Sequence, residues 1–309
     1  MALTSALTPR DLPWVFISFR EPNANANWLK LKQQIPEAHR SHGVVGIDQA
    51  HRAAAALVPH SEYFFTLDGD SVVWEKWLNT PLAITLAPHT AWCWRSRNVI
   101  NDLTYGNGGV KLWHRSLIEH MNSHSDGVDF CWQPSYVSLN QTAGETDPGA
   151  SERQAFIAGA REGVKLMLDR GVFLSPQQLR KCWNSHNRSA WLIWCTRGAH
   201  DATHKWAPFG ARYSATQLLM DNWSPMAIND WCFLSSEFDK VQQSMRCSVE
   251  NNMQFQTTYE SQAWRLQYEQ LGEYLQQVLN VHLPNCYDFA FWQWLQQIQQ
   301  CYIRELPRV

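Results

Sequence analysis

The chain has 309 residues, 45% hydrophobic and 17% charged, which excludes a disordered chain and allows one large domain or a domain with a sizeable appendage. A formal net charge of −2 at pH 7 excludes a global basic field for nucleic acid, so a polyanionic acceptor needs a local basic patch. Eight cysteines without a Cys-x-x-Cys pair argue against a structural zinc site and read as buried free thiols of a reducing compartment.

The N-terminus shows no basic stretch leading into an apolar core, and no apolar run reaches the length of a transmembrane helix. A cytoplasmic protein without membrane insertion is expected. The 17 tryptophans stand out. Core packing is their default reading, and stacking on sugars or bases is the alternative.

In chain order, residues 14–19 (Trp-Val-Phe-Ile-Ser-Phe) read as a buried strand. Residues 27–35 read as a helix stopped near Pro36, and residues 42–46 as a short second strand. Residues 48–58 are Ala-rich and helical, with Asp48 as a candidate N-cap. Residues 63–67 form a third strand that runs directly into Asp68-Gly69-Asp70. Two β-α units followed by a strand predict a parallel α/β sheet, whose ligands bind beyond the carboxyl ends of the strands.

Residues 83–86 and 91–95 read as edge strands. Residues 105–109 read as a Gly-rich loop, and 111–121 as the helix after it. Residues 129–133 read as a strand, 141–149 as a polar active-site loop, 152–168 as a helix and 191–196 as a returning strand. From about 236 onward the composition is helical. The expected organisation is a catalytic domain over 1–235 with a helical C-terminal region, 236–309, packed on it.

Asp68 and Asp70 place two like charges at the end of an apolar strand, and a divalent cation is the obvious compensation. Oxygen ligands suit Mn2+ or Mg2+, which would neutralise a departing diphosphate. A solvated Asp-Gly-Asp turn is the plain alternative. An EF-hand loop fails, because Val73 and Asn79 stand where Gly and Glu are required. Asp-Gly-Asp-Ser-Val also fits the short motif of the haloacid-dehalogenase phosphatases. That family usually carries it on its first strand and adds a downstream acidic pair, and neither feature is found here.

Asn107, Gly108 and Gly109 would let a backbone approach an anion at a helix N-terminus. Arg95, Arg97, Lys111, His114 and Arg115 cluster around that loop in sequence and are candidates for phosphates of a donor or an acceptor. Glu145 or Asp147 could act as general base on an acceptor hydroxyl. His200, near Asp201 and His204, is a candidate third metal ligand. Each of these residues reads equally as a solvated or capping side chain.

The strand–helix–strand–helix–strand order ending in Asp-x-Asp resembles the nucleotide-binding half of a GT-A glycosyltransferase. Trp94-Arg95-Ser96-Arg97-Asn98, Asn101 and the stretch from Tyr105 to Trp113 extend the likeness to the TET-associated glycosyltransferase-like proteins of phages and some eukaryotes. The resemblance covers roughly residues 14–220. It implies a GT-A-like, Rossmann-like fold with a mixed, mostly parallel sheet flanked by helices. It also implies transfer of a hexose or pentose from a nucleoside diphosphate sugar, with UDP as the leading nucleotide, to a hydroxyl such as that of 5-hydroxymethylcytosine in DNA. By the same resemblance Phe19, Arg20 and Glu21 lie near base and ribose, and Asp48 and Arg52 face the nucleotide. Asp70 is the direct metal ligand, Asp68 touches ribose or metal, and Asn107 to Gly109 approach the sugar. Trp94, Arg95, Arg97 and Lys111 face the acceptor, in a host cytoplasm if the chain is phage-encoded. The rivals are a glycosyltransferase acting on a glycan or lipid-linked carbohydrate, a dehalogenase-type phosphatase, and a non-catalytic carbohydrate or nucleic-acid binder.

Overall fold

The computed structural model describes residues 7–122, 135–169, 171–198, 201–247 and 256–283. The chain forms two compact units, Met1–Ala150 and Ser151–Arg308. No helix among the described residues is long and apolar enough to cross a membrane.

The first unit runs β1 (Trp14–Ser18), α1 (Ala24–Gln34), β2 (His39–His42), α2 (Ile47–Ala56), β3 (Tyr63–Asp68), β4 (Ser71–Val73) and α3 (Glu75–Leu78). It continues through β5 (Ala91–Asn98), β6 (Thr104–His114), α4 (Arg115–Glu119) and β7 (Tyr136–Thr146). The seven strands make one sheet in the order β2-β1-β3-β6-β5-β7-β4. The β2/β1, β1/β3 and β5/β7 pairings are parallel, and the other three are antiparallel. This is the mixed α/β sheet flanked by helices that the resemblance implies, and its three antiparallel pairings are absent from the parallel sheet that the opening β-α-β-α-β pattern alone predicts.

Alternation along the strands builds two cores. Trp14, Phe16, Phe65, Leu67, Trp92, Trp94 and Leu112 face one way, against Ala24 and Leu31 of α1 and Trp77 and Leu78 of α3. Val15, Phe64, Ala91 and Trp113 face the other, against Ala54 and Ala55 of α2 and Ile118 of α4. Trp14 stacks on Phe65 at 4.4 Å between ring centroids, and Trp77 packs edge-on against Trp94 at 5.2 Å. Aromatic pairs in these offset and T-shaped arrangements add to simple area burial. The tryptophan-rich composition of this unit therefore builds core.

Several expected elements are different. Residues 42–46 are not a strand: Gly43 and Gly46 have φ of +75° and +90°, outside the extended region. The second strand is instead His39–His42, an edge strand in which only Ser41 is buried, so it carries no apolar signal. Asp48 is not the N-cap of α2. Gly46 is, and Asp48 lies in the first helical turn, where its charge complements the helix dipole. Residues 83–86 form no strand, although Leu82, Ile84 and Leu86 pack on the core at alternate positions. β5 is an interior strand between β6 and β7, not an edge.

Residues 105–109 are not a loop but part of β6, and the helix expected over 111–121 shrinks to α4. Leu112 and Trp113 are buried in opposite faces of the sheet, which only a strand can arrange. The expected polar loop over 141–149 is mostly the end of β7. The strand expected over 129–133 lies outside the described residues.

Among its described residues, the second unit is helical apart from a small hairpin. It comprises α5 (Glu152–Lys165), β8 (Leu168–Asp169), β9 (Val172–Phe173), α6 (Pro176–Cys182), α7 (Ser185–Trp194), α8 (Trp206–Leu219), α9 (Trp231–Cys247) and α10 (Gln256–Leu279). The strand expected over 191–196 is the last turn of α7, whose Ala190 to Trp194 are all buried. A short run buried on every side has no period to read. Ser151 caps α5 by accepting from the Gln154 N–H. Arg212 of α8, fully buried, donates to the carbonyls of Cys195 (2.8 Å) and Tyr268 (2.9 Å) and lies 3.6 Å over the Tyr268 ring. It thereby joins the end of α7 to α8 and α10. Helices from residue 151 onward thus pack with those beyond 235, and the division between units falls after Ala150.

Helices α5 and α8 approach at backbone distance. A Cβ on Gly159 would lie 1.9 Å from the Ala207 carbonyl oxygen. Gly159→Val should therefore force these helices apart and lower stability by roughly 3 kcal/mol or more. A urea midpoint within error of wild type would show that the helices part without penalty.

Candidate functional site

The carboxyl ends of β1 and β3 are neighbours, the place where an open α/β sheet binds its ligand. β3 ends on Asp68. The chain turns through Gly69 and Asp70 and leaves along β4, paired with β7. Just past β1, Glu21 accepts a hydrogen bond from the Phe19 N–H (2.7 Å). Its carboxylate lies against the turn: a Cβ on Gly69 would sit 2.6 Å from Glu21 Oε2. Any larger residue at position 69 would push Glu21 out.

Polar side chains hold the turn in place. Asn27 of α1 donates to the Gly69 carbonyl (3.1 Å), and Asn23 donates to the Asp147 carbonyl (2.9 Å). The Asp147 N–H in turn donates to the Asp70 carbonyl (2.8 Å). Ser71 donates to Asp70 Oδ1 (3.1 Å) and meets the Thr146 hydroxyl at 2.9 Å. β6 runs directly over this network, since a Cβ on Gly109 would lie 2.1 Å from Ser71 Oγ and 3.3 Å from Asp68 Cβ. Close approach to the carboxylate turn is what Gly109 provides, not an anion-binding loop.

The electrostatics are unbalanced. Asp70 keeps a little accessible surface but is ringed by protein. Burial first, then repulsion from Asp68 and Glu21, push its carboxyl up to about 7, against the opposing Ser71 hydrogen bond and the Lys111 charge. Lys111 lies 2.9 Å from Asp68 Oδ2, with side-chain exposures of 7% for the lysine and 39% for the aspartate. His51 of α2 lies close by, and burial lowers its pKa, so near neutral pH it adds no second cation. Its Nδ1 donates to the Ile47 carbonyl (2.8 Å).

Among the described residues, no three His, Cys, Asp or Glu side chains converge as a self-sufficient metal cage. Mg2+-type sites typically use one or two carboxylates and complete their shell with water and substrate phosphates. Asp68 and Asp70 supply that number. The residues fit a cation shared with a phosphate ligand and not a structural metal.

The other expected site residues divide sharply. Phe19 and Arg20 stay at the open end of β1, with the Arg20 guanidinium 5.0 Å from the Phe19 ring centre. Glu145 and Thr146 are successive on β7 and point to opposite faces. Thr146 meets Ser71 beside Asp70, so Glu145 faces away, where it pairs with Arg97 at 3.0 Å. That removes Glu145 from the turn and ties up Arg97. Asp147 stays next to Asp70, although its own Oδ1 accepts from the Gly149 N–H (3.0 Å).

Lys111 belongs to the carboxylate turn and not to a basic cluster with Arg95 and Arg97. Arg115 donates to the carbonyls of Ser61, Ala55 and Val58, and His114 pairs with Glu62. Arg52 donates to the Met121 carbonyl (2.5 Å) and to Gln49 (3.0 Å). Arg52 thus ties α2 to the residues after α4, Arg115 ties the start of α4 to the end of α2, and His114 ties the end of β6 to the residue before β3. Trp94 is 1% exposed and Arg95 is buried as well, so neither offers a face to an acceptor. His200 and the side chains of Asn107 and Gly108 lie outside the described residues, and Asp201 caps its own turn through Thr203 and His204 (2.8 Å each). Asn23, Asn27, Ser71 and Thr146 have no sequence signal, because each acts through backbone geometry that only the fold supplies.

The Asp70 environment has a thermodynamic consequence. In the metal-free folded protein the proton stays on Asp70 to about pH 7, while unfolding returns the group to 3.8. Between these values the folded state binds the extra proton, so this group makes stability fall as pH rises from about 4 to about 7. Asp70→Asn removes the effect and should be the more stable protein at pH 8, by at most about 4 kcal/mol. The gain should vanish near pH 4. Urea unfolding of both proteins at the two pH values checks this, and a gain that does not change with pH would contradict the assignment.

No family model matches the chain, and no curated protein matches it in sequence. Among solved structures, a glycosyltransferase involved in the glycosylation of the major capsid of PBCV-1 is similar over 42% of this chain and 82% of that one. The identity is 15% and the TM-score 0.30.

Proposed function

We propose that this chain is a glycosyltransferase that takes its sugar from a nucleoside diphosphate sugar with the help of Mn2+ or Mg2+. The observation that carries the reading is the Asp68–Gly69–Asp70 turn: two carboxylates at the ligand-binding end of β3, with Asp70 held in a site that disfavours its charge unless a cation arrives. Asp70 and the open side of Asp68 would hold the metal, which when bound stabilises the negative charge of the departing diphosphate. Asn27, bonded to the Gly69 carbonyl, and Ser71, bonded to Asp70 Oδ1, keep the two carboxylates in register. Phe19, with Arg20 over its ring, presents an apolar and cationic surface suited to a nucleobase, for which UDP is our first choice. Asp147, whose backbone is bonded to Asp70, is the better placed of the two candidate bases for removing the acceptor hydroxyl proton.

The dehalogenase-type phosphatase reading loses ground. The carboxylate turn follows the third strand, which pairs antiparallel with β6, where that family's motif belongs on its first strand. For the acceptor we infer a hydroxyl, and the sequence resemblance favours that of 5-hydroxymethylcytosine in DNA, which would have to leave the base stack to react.

The test is donor hydrolysis by the full chain with UDP-sugars, Mn2+ and a chelator control. Activity should require the metal, and Asp70→Ala should lose on the order of a hundredfold or more. Metal-independent hydrolysis, or full activity in the alanine variant, would refute the metal assignment.

A further inference from the structure

β6 carries a single cation into the carboxylate turn, and its placement is specific. Lys111 is paired with Thr66 in the β3/β6 ladder. Asp68 lies two residues along β3 from Thr66 and so points to the same face. The lysine therefore reaches along the strand to Asp68 Oδ2 at 2.9 Å. The ammonium is almost wholly buried, while its partner remains 39% exposed. The lysine bears the desolvation and faces carboxylates, Asp68 directly and Asp70 through space, that a cation would also claim. This arrangement makes sense where more negative charge arrives from the open side. An ammonium also suits that task, being a compact charge on a flexible stem.

We propose that Lys111 is a diphosphate-positioning residue. In the empty protein it neutralises Asp68. When a cation takes the Asp68 carboxylate, the ammonium is released to the diphosphate oxygens. This inference rests on the donor-site reading above. It sets Lys111 against the metal alone and in favour of metal with diphosphate, so its removal moves the two affinities in opposite directions.

Calorimetric titration of the full chain reads both, first with Mn2+ alone and then with inorganic pyrophosphate in saturating Mn2+. Lys111→Gln should bind Mn2+ alone several-fold more tightly, with one opposing cation gone, and pyrophosphate about tenfold or more weakly. Lys111→Arg should restore most of the pyrophosphate affinity. Wild-type protein should bind pyrophosphate far more weakly in EDTA, because without a cation the ammonium stays on Asp68, a readout that needs no variant to fold. Two affinities that stay put, or that weaken together in the folded Gln variant, would overturn the proposal, as would equally tight pyrophosphate binding in EDTA. If wild type binds both probes and Lys111→Gln changes neither, Lys111 falls while the donor site stands. If wild type binds neither, the donor reading itself fails.

Discussion

The repulsion between Asp68, Asp70 and Glu21 is the constraint around which the first unit is organised. Three carboxylates share one turn, and one buried ammonium, Lys111, partly offsets them. A fold without a use for that charge would gain by replacing Asp70 with a neutral residue. Instead the surroundings fix it more firmly. Gly69 and Gly109 clear space on two sides, and hydrogen bonds from Asn27 and Ser71 hold the turn and its carboxylate. A carboxylate perturbed by burial and like charge, and held there by its neighbours, is characteristic of functional sites.

The sheet explains how the charges come together. Its parallel half, β2-β1-β3, places the ends of β1 and β3 side by side and so brings Glu21 to the Asp68–Asp70 turn. The remaining strands, β6, β5, β7 and β4, contribute what the parallel half lacks. β6, running back along β3, supplies Lys111 and the clearance at Gly109. β7, running against β4, supplies Thr146 and the backbone of Asp147. Neither half makes the site alone, which is why a mixed sheet matters to the chemistry.

In the parallel half β1 and β3 were legible because they are continuous apolar runs, as doubly covered strands are, whereas β2, with only Ser41 buried, was not. Trp14 to Phe19 and Tyr63 to Leu67 could hardly be anything else, and Asp-Gly-Asp after the second run marked the site. Of the remaining strands, β5 was read as a strand, but β6 and β7 were not. In β6 the glycines imitate a loop, and Lys111-Leu112-Trp113 imitates the start of a helix. Only the split of Leu112 and Trp113 between two cores reveals the strand. In β7 the polar run from Gln141 imitates a loop because much of that strand is only partly buried. Lys111 was consequently grouped with its sequence neighbours Arg95 and Arg97, when its real partner is 43 residues away.

That regrouping bears on the acceptor. A polyanion needs unneutralised basic side chains on one surface, and the cluster suggested by the sequence does not supply it in the first unit. Arg97 is engaged by Glu145 and Asp102, His114 by Glu62, and Arg115 by the carbonyls around the end of α2. Lys111 faces the Asp68 carboxylate, and Arg95 is buried. Arg20, exposed at the end of β1, stands beside the proposed nucleobase surface. The first unit therefore carries the physical case for the donor. Recognition of a DNA acceptor would have to draw on basic residues other than those the primary sequence brings together, consistent with a chain whose overall charge is slightly negative.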